Sequence, residues 1–161
     1  MLRALIIGYG NPLRGDDRLG WHIADRLSEV VEDFGELSRA DKSTKVLAVH
    51  QLTPELAEPI SEAELVIFVD ASLDGQPGSW RCETIARDTM TSNAFAHYCT
   101  PATLLDYAET IFGTRPRSLL ISVAAESFDC CDQLTPCVEA AVPDIVQFIS
   151  EQISCPSQIP G

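Results

Sequence analysis

The stretch that decides the fold is Ala4-Leu5-Ile6-Ile7-Gly8-Tyr9-Gly10-Asn11-Pro12, an apolar run followed by a turn with two glycines. A short apolar run that ends in glycine is typical of a buried parallel strand. Glycine allows a sharp turn and leaves room beside the strand end. Apolar residues then recur at helical spacing over 19–31, at Leu19, Ile23, Leu27 and Val30 or Val31. The first thirty residues therefore predict a strand, a turn and a helix.

The rest of the chain repeats this alternation. Apolar runs predict strands over residues 45–49, 65–69 and 118–123, and alternating residues predict an edge strand over 80–85. Residues 32–43 are mixed and polar, and predict a loop or a frayed helical end. Alternating strands and helices predict an α/β fold with a parallel sheet and helices on both faces. We expect residues 1–155 to form one domain and residues 156–161 to form a flexible tail.

Three later helices are predicted to begin at a Thr-Pro pair, because threonine can accept a backbone N–H bond at the cap and proline suits the first helical position. The pairs are Thr53-Pro54, Thr100-Pro101 and Thr135-Pro136. The second of these helices should end at Gly113. Its inward residues are predicted to be Leu104, Leu105, Ala108, Ile111 and Phe112. In the last helix the expected core residues are Val138, Val142, Ile145 and Ile149.

Composition excludes several classes of function. The net charge of −13 over 161 residues argues against binding to nucleic acid or to an anionic membrane surface. No apolar run approaches the roughly 20 residues of a membrane helix. The N-terminus has no secretory pattern, so we expect a cytoplasmic protein. The six cysteines contain no Cys-x-x-Cys pair and are expected to be reduced.

Chemically capable side chains follow three of the predicted strands. Asp16 and Asp17 follow the first strand, His50 and Gln51 follow the second, and Asp70 directly follows the third. Parallel strands bring their carboxyl ends to one edge, where ligands bind in such sheets. His97, on a predicted loop before a helix, could reach the same edge.

Two acids and one imidazole form a mixed oxygen and nitrogen set that suits zinc or nickel. A metal there could polarise a carbonyl group or lower the pKa of a bound water. The alternatives are that Asp16 and Asp17 are solvated or cap a helix, that Asp70 caps a turn, and that His97 is an ordinary loop histidine.

Other catalytic or binding motifs have less support. Gly8-Tyr9-Gly10 is similar to a dinucleotide-binding loop, but Leu13 occupies the position of the third glycine and the acidic pair would repel a pyrophosphate. A small nucleotide-binding domain is therefore the weakest hypothesis. The sequence contains no Gly-x-Ser-x-Gly motif of the serine hydrolases.

The motif from Gly8 to Leu13, followed by Asp16-Asp17 and Gly20, resembles that of the hydrogenase maturation proteases. These endopeptidases remove the C-terminal extension of the [NiFe]-hydrogenase large subunit after nickel insertion. Further similarities are Val69-Asp70-Ala71, His97 before a leucine-rich helix, Glu126-Ser127 and Leu134-Thr135-Pro136. The resemblance covers nearly the whole chain and implies a twisted, mostly parallel five-stranded sheet flanked by helices.

The resemblance also implies roles for individual residues. Asp17, Asp70 and His97 would bind the metal, which is nickel already held by the hydrogenase large-subunit precursor. Asp16, Asp17 and Asp70 are the candidate catalytic residues, and for Asp16 two roles stay open: holding the loop, or acting as the base. The candidate substrate contacts are Asn11, His50, Gln51 and Leu52.

One departure from the family pattern makes the chain resemble a particular branch of the family. Many members carry an Asp-Gly-type segment after the second strand, where this chain has His50-Gln51-Leu52. That variant resembles the branch that serves bidirectional, NAD-linked hydrogenases. The alternative function is a nickel-checkpoint or nickel-delivery protein that uses the same ligands without hydrolysis.

Overall fold

A computed structural model of the chain describes residues 1–37, 43–86 and 99–154, with side chains omitted for residues 31–37. Five strands form one sheet: β1 (Leu2–Tyr9), β2 (Thr44–Val49), β3 (Ala63–Ser72), β4 (Trp80–Thr84) and β5 (Arg117–Ala124). The α-helices are α1 (Leu19–Leu37), α2 (Ala57–Ser61), α3 (Pro101–Phe112) and α4 (Pro136–Ser154). None of the described helices has both the length and the apolar character needed to cross a bilayer.

The strand order is β2-β1-β3-β5-β4. Strands β1, β2, β3 and β5 are parallel, and β4 is an antiparallel edge strand. The predicted fold class is confirmed: a single α/β domain with a mostly parallel five-stranded sheet. The carboxyl ends of β1, β2 and β3 meet at one edge, as the parallel pairing requires.

Alternate residues of each central strand point to opposite faces, and each face has its own core. Ala4 and Ile6 of β1 pack with α1 and α4, whereas Leu5 and Ile7 pack with α2 and α3. Both faces of the central strands are covered, so the strands are continuously apolar. The predicted core residues Leu19, Ile23 and Leu27 of α1 are buried, as are all four predicted core residues of α4.

Several predicted boundaries were wrong. Helix α1 continues to Leu37, six residues beyond the predicted end, so residues 32–37 extend the helix and do not form the loop that was one of the two predictions for this segment. Strand β3 continues to Ser72, so Asp70 lies inside the strand where it pairs with Ser122 of β5. On α3, Ile111 is 66% exposed and Phe112 is 46% exposed, so they do not join Leu104, Leu105 and Ala108 in the core. Helical spacing alone therefore led to a wrong prediction that the last turn of α3 is buried.

The Thr-Pro pairs begin helices in three different ways. Thr100 accepts a hydrogen bond from Thr103 N–H, and α3 ends at Gly113, as predicted. Pro54 begins a 3-10 turn, Pro54–Leu56, before α2, and Thr53 accepts no capping bond. The Glu55 carboxylate lies near its own backbone N–H and, with a smaller effect, near the Thr53 hydroxyl, and both lower the pKa of Glu55. Thr135 bonds to a residue far away in the chain, described below.

Five predictions lie outside the described residues: the position of His97, the loop over 87–98, the chain after Leu37 up to residue 42, Cys155 and the tail. The five described cysteines are free thiols.

The backbone at the start of α1 packs directly against the backbone at the end of β1. A Cβ atom added at Gly8 would lie 2.0 Å from the carbonyl oxygen of Gly20, and one added at Gly20 would lie 2.5 Å from the Tyr9 nitrogen. Neither position has room for a methyl group. This close approach fixes the turn between β1 and α1, which carries Asp16 and Asp17.

We expect Gly20→Ala to lower the free energy of unfolding by about 3 kcal/mol or more, because the backbone must shift to admit the methyl group. Gly113→Ala is the control, since a Cβ there meets nothing within 4 Å and only its positive φ of 74° is strained. That strain costs about 1–2 kcal/mol. Urea unfolding of both variants measures the difference, and equal losses would contradict the close-contact explanation.

Candidate active site

Asp16 joins the first turn to the loop before α4. Its Oδ2 accepts the N–H groups of Glu126 at 2.8 Å and Ser127 at 3.1 Å, and its Oδ1 accepts the N–H of Thr135 at 2.8 Å. The Thr135 hydroxyl also donates to this carboxylate at 2.8–2.9 Å. Asp16 is fully buried. A carboxylate with these partners satisfies three backbone donors in residues more than 100 positions later in the chain.

The hydrogen bonds decide the charge state of Asp16. Burial by itself raises the pKa of this carboxyl, but the donors on Thr135, Glu126 and Ser127 outweigh it and hold the pKa below its ordinary value. The start of α4 follows directly at Pro136, where the helix dipole also favours a negative charge. This geometry favours the loop-holding role of Asp16 over the role of base.

The neighbouring Asp17 lies on the solvent side of the same turn and is only partly buried. Its Oδ2 accepts the Asn11 N–H at 2.8 Å, and the Asn11 Oδ1 in turn accepts the Leu13 N–H at 2.9 Å. Gly10 has a φ of 142°, and a Cβ atom there would lie 2.8 Å from Asp17 Oδ1. Asn11, a predicted substrate contact, therefore orients Asp17 through its backbone.

Asp70 lies on the adjacent strand β3, near the Tyr9 hydroxyl and the Ala71 N–H. These two groups favour the ionised carboxylate and act to lower its pKa. Burial, together with the nearby charge of Asp17, nevertheless raises the pKa of Asp70 to about 6. Burial and the Asp70 charge raise the pKa of Tyr9, so its phenol stays protonated and remains a donor.

Asp17 and Asp70 thus form a pair of carboxylates at the carboxyl edge of the sheet, close enough for one to perturb the other. No ion pair between described residues involves either of them. Two carboxylates near each other without a counter-charge have the chemistry of an oxygen-rich cation site. Within 1–37, 43–86 and 99–154, no group of three His, Cys, Asp or Glu side chains could hold a metal ion.

The other predicted substrate contacts, His50, Gln51 and Leu52, differ in their exposure to solvent. His50 and Gln51 are exposed just after β2, at the same edge as the carboxylates. Leu52 is only 7% exposed and packs in the core with α2 and α3, so its side chain supports the turn and is not free for a surface contact. His97 lies outside the described residues.

Sequence reasoning missed two contributors to this site. Tyr9 was considered only as part of a glycine-containing turn, although period-two spacing places it on the face of Leu5 and Ile7. Trp21 donates its indole N–H to the Gly10 carbonyl at 2.9 Å and so anchors the turn. No spacing rule links Asp16 to Glu126, Ser127 or Thr135.

Comparisons with known proteins identify the fold. No protein-family model matches the chain, and none of the curated proteins matches it. Among solved structures, the hydrogenase maturating endopeptidase HybD from E. coli superposes with a TM-score of 0.72 at 23% identity, over 97% of this chain and 94% of that one. The [NiFe] hydrogenase maturation protease HycI from Thermococcus kodakarensis gives a TM-score of 0.70 at 21% identity, over 94% and 92%. The hydrogenase 2 maturation peptidase from Thaumarchaeota archaeon SCGC_AB-539-E09 gives 0.66 at 24% identity, over 94% and 97%.

The chain has the fold of the hydrogenase maturation endopeptidases. The likeness covers at least 94% of the chain in these three comparisons. Within this maturation-endopeptidase fold, the two carboxylates lie where parallel sheets place their ligands.

We expect Asp16→Asn to lower the free energy of unfolding at pH 7 by about 3 kcal/mol, because the amide NH2 that replaces one carboxylate oxygen cannot accept a hydrogen bond from the buried N–H donors that face it. The folded-state pKa of Asp16 is lowered, so its stabilisation is present above the unfolded value of about 3.9 and is lost as the pH falls through the folded value. The difference in the free energy of unfolding between the wild type and Asp16→Asn should therefore become smaller at acidic pH. Urea unfolding from pH 7 down to pH 3 measures it, with exposed Asp25→Asn as the control. A constant gap would contradict a charged Asp16.

At Asp70 we expect the charged carboxylate to lower the free energy of unfolding, which is the opposite of its effect at Asp16. The folded-state pKa of Asp70, about 6, lies above the unfolded value of about 3.9, so ionisation costs stability as the pH rises through this window. Asp70→Asn removes that cost and should gain about 2 kcal/mol relative to the wild type between pH 4 and pH 8. This is less than the full shift because the carboxylate is partly exposed. Asp144→Asn on α4 serves as the control, and parallel pH profiles for the wild type and Asp70→Asn would refute the expectation.

Proposed function

We propose that this chain is an endopeptidase that removes the C-terminal extension of a [NiFe]-hydrogenase large-subunit precursor after nickel insertion. The observation that carries the proposal is the pair Asp17 and Asp70. These carboxylates lie together without a described counter-cation, at the ligand-binding edge of the maturation-endopeptidase fold. A perturbed pKa at such an edge is typical of functional groups.

In this proposal the nickel is part of the substrate. Asp17 and Asp70 bind it through carboxylate oxygens, and His97 supplies an imidazole nitrogen.

The chemistry requires a water molecule, a polarised peptide carbonyl and a proton acceptor. Substrate nickel held beside the scissile bond polarises the carbonyl, and Asp17 or Asp70 accepts the proton of the attacking water. Asp70 suits this step because its pKa of about 6 is closer to neutral pH than that of an ordinary carboxyl. Asp16 holds the loop that frames the site and takes no part in proton transfer.

The finer assignment is to the branch that serves NAD-linked bidirectional hydrogenases, with a cytoplasmic location. The support is the His50-Gln51 pair, which is exposed just after β2 and is available to contact the precursor. Among the predicted substrate contacts, these two present free side chains, while Asn11 contributes mainly by orienting Asp17.

The experiment is to incubate the protein with nickel-loaded and nickel-free large-subunit precursors and to measure the precursor mass. We expect the nickel-loaded precursor alone to lose its C-terminal peptide. Asp17→Ala, Asp70→Ala and His97→Ala should each reduce the cleavage rate by about 100-fold or more, because each removes a metal ligand or proton acceptor.

Two substitutions control for general damage. Asp74→Ala alters an exposed carboxylate in the turn after β3, and His22→Ala alters a histidine on α1; both should cleave at the wild-type rate. Full activity of any of the three site variants removes that residue from the mechanism. An unchanged precursor mass with a stable complex would instead support the non-hydrolytic nickel-checkpoint protein.

A further inference from the structure

We propose that Trp21 is a positioning residue for Asp17: its indole N–H holds one peptide group, and the other end of that peptide group bonds to the Asp17 carboxylate. The inference rests on the proposed function, in which Asp17 binds the nickel of the precursor. It deepens that function by assigning a role to a side chain that is neither a metal ligand nor a proton acceptor.

The peptide group between Gly10 and Asn11 is bonded at both ends. Its carbonyl oxygen accepts the indole N–H of Trp21 at 2.9 Å. Its N–H, which belongs to Asn11, donates to Asp17 Oδ2 at 2.8 Å. A planar trans peptide directs its carbonyl and its N–H to opposite sides. Trp21 and Asp17 therefore bond to opposite ends of one rigid group.

Two further contacts fix this peptide group. The Gly10 N–H donates to the Val49 carbonyl at 3.2 Å, which ties the turn to the end of β2. The Asp17 carboxylate packs against Gly10, since a Cβ atom there would lie 2.8 Å from Asp17 Oδ1. The Asn11 N–H is the donor that the described residues supply to this carboxylate. The orientation of Asp17 therefore depends on the orientation of the peptide.

Trp21 donates from a fixed part of the fold. It is the third residue of α1 and follows Gly20, whose backbone packs directly against the end of β1. A hydrogen bond to the carbonyl also polarises the peptide and strengthens its N–H as a donor. An ionised carboxylate has about four lone-pair positions, so one N–H bond orients Asp17 and leaves positions free for the nickel of the precursor.

Substitution separates the ring of Trp21 from its indole N–H. Trp21 is half-buried. Phenylalanine keeps an aromatic ring and removes the donor, whereas leucine removes both. Trp80→Phe is the matched control, because Trp80 lies on β4 and packs edge-to-face against Phe148, with ring centroids 5.4 Å apart.

The first arm measures amide hydrogen exchange by NMR in the isolated protein. Exchange of a single amide reports the opening of its own hydrogen bond. We expect Trp21→Phe to speed exchange of the Asn11 amide by about fivefold, which corresponds to the loss of one ordinary hydrogen bond. The Glu126 amide, which donates to Asp16, is the internal control and should change by less than about twofold. Trp80→Phe should leave both amides unchanged.

Three results of this arm would overturn the proposal. The first is a change of less than about twofold at the Asn11 amide. The second is equal acceleration at Asn11 and Glu126, because that shows a general loss of stability. The third is acceleration in Trp21→Leu without acceleration in Trp21→Phe, which assigns Trp21 a packing role.

The second arm measures cleavage of the nickel-loaded precursor. Partners that orient metal ligands contribute about 10- to 100-fold to metal affinity or activity, and Trp21 acts through one intervening peptide. We expect KM of Trp21→Phe to rise by about tenfold with kcat changed by less than about threefold, and Trp80→Phe to match the wild type. Loss of folded protein would instead lower kcat and leave KM unchanged.

The two arms distinguish failure of the inference from failure of the proposed function. If the wild type cleaves the precursor and Trp21→Phe has an unchanged KM or an unchanged Asn11 amide, the function stands and the role of Trp21 is excluded. If the wild type does not cleave the precursor, the proposed function fails, whereas faster exchange confined to Asn11 still confirms that Trp21 orients Asp17.

Discussion

The carboxylate of Asp16 is the constraint on which the rest of the site depends. It is a fully buried charge, and such a charge is tolerated only when donors surround it. Those donors come from two backbone segments, Glu126-Ser127 and Thr135, which both lie in the connection between β5 and α4. Main-chain bonds between Gly15 and Cys131, and between Asp16 and Ser127, run beside the side-chain contacts. The turn after β1 and the connection between β5 and α4 are thereby held together at the edge of the sheet.

Asp16 and Asp17 are adjacent in this turn, but their surroundings differ and so do their roles. Asp16 points inward, and hydrogen bonds stabilise its charged form. Asp17 points outward, accepts one backbone N–H and lies near a second carboxylate. The turn that carries both residues lies between β1 and α1, whose backbones meet closely at Gly8 and Gly20.

Asp16 and Asp70 show how environment sets the behaviour of the same side chain. Hydrogen bonds dominate at Asp16 and lower its pKa, whereas burial and a like charge dominate at Asp70 and raise its pKa to about 6. The first arrangement stabilises the folded chain. The second costs stability, which is common where a group is kept for binding or chemistry.

The sequence by itself determined the fold class, because apolar runs, glycine turns and Thr-Pro pairs are local signals that act over a few residues. It also determined which chemical groups follow which strands, since parallel strands share a carboxyl edge. It overestimated the burial of Ile111 and Phe112, because helical spacing marks a face but does not say where the neighbouring layer ends.

Only the tertiary structure decided how Asp16, Asp17 and Asp70 differ. The partners of Asp16 lie more than 100 residues away in the sequence. Tyr9 is a neighbour of Asp70 only because the register pairs β1 with β3. Hydrogen bonding and charge interactions act through space, and local sequence patterns carry no record of which distant segments will meet.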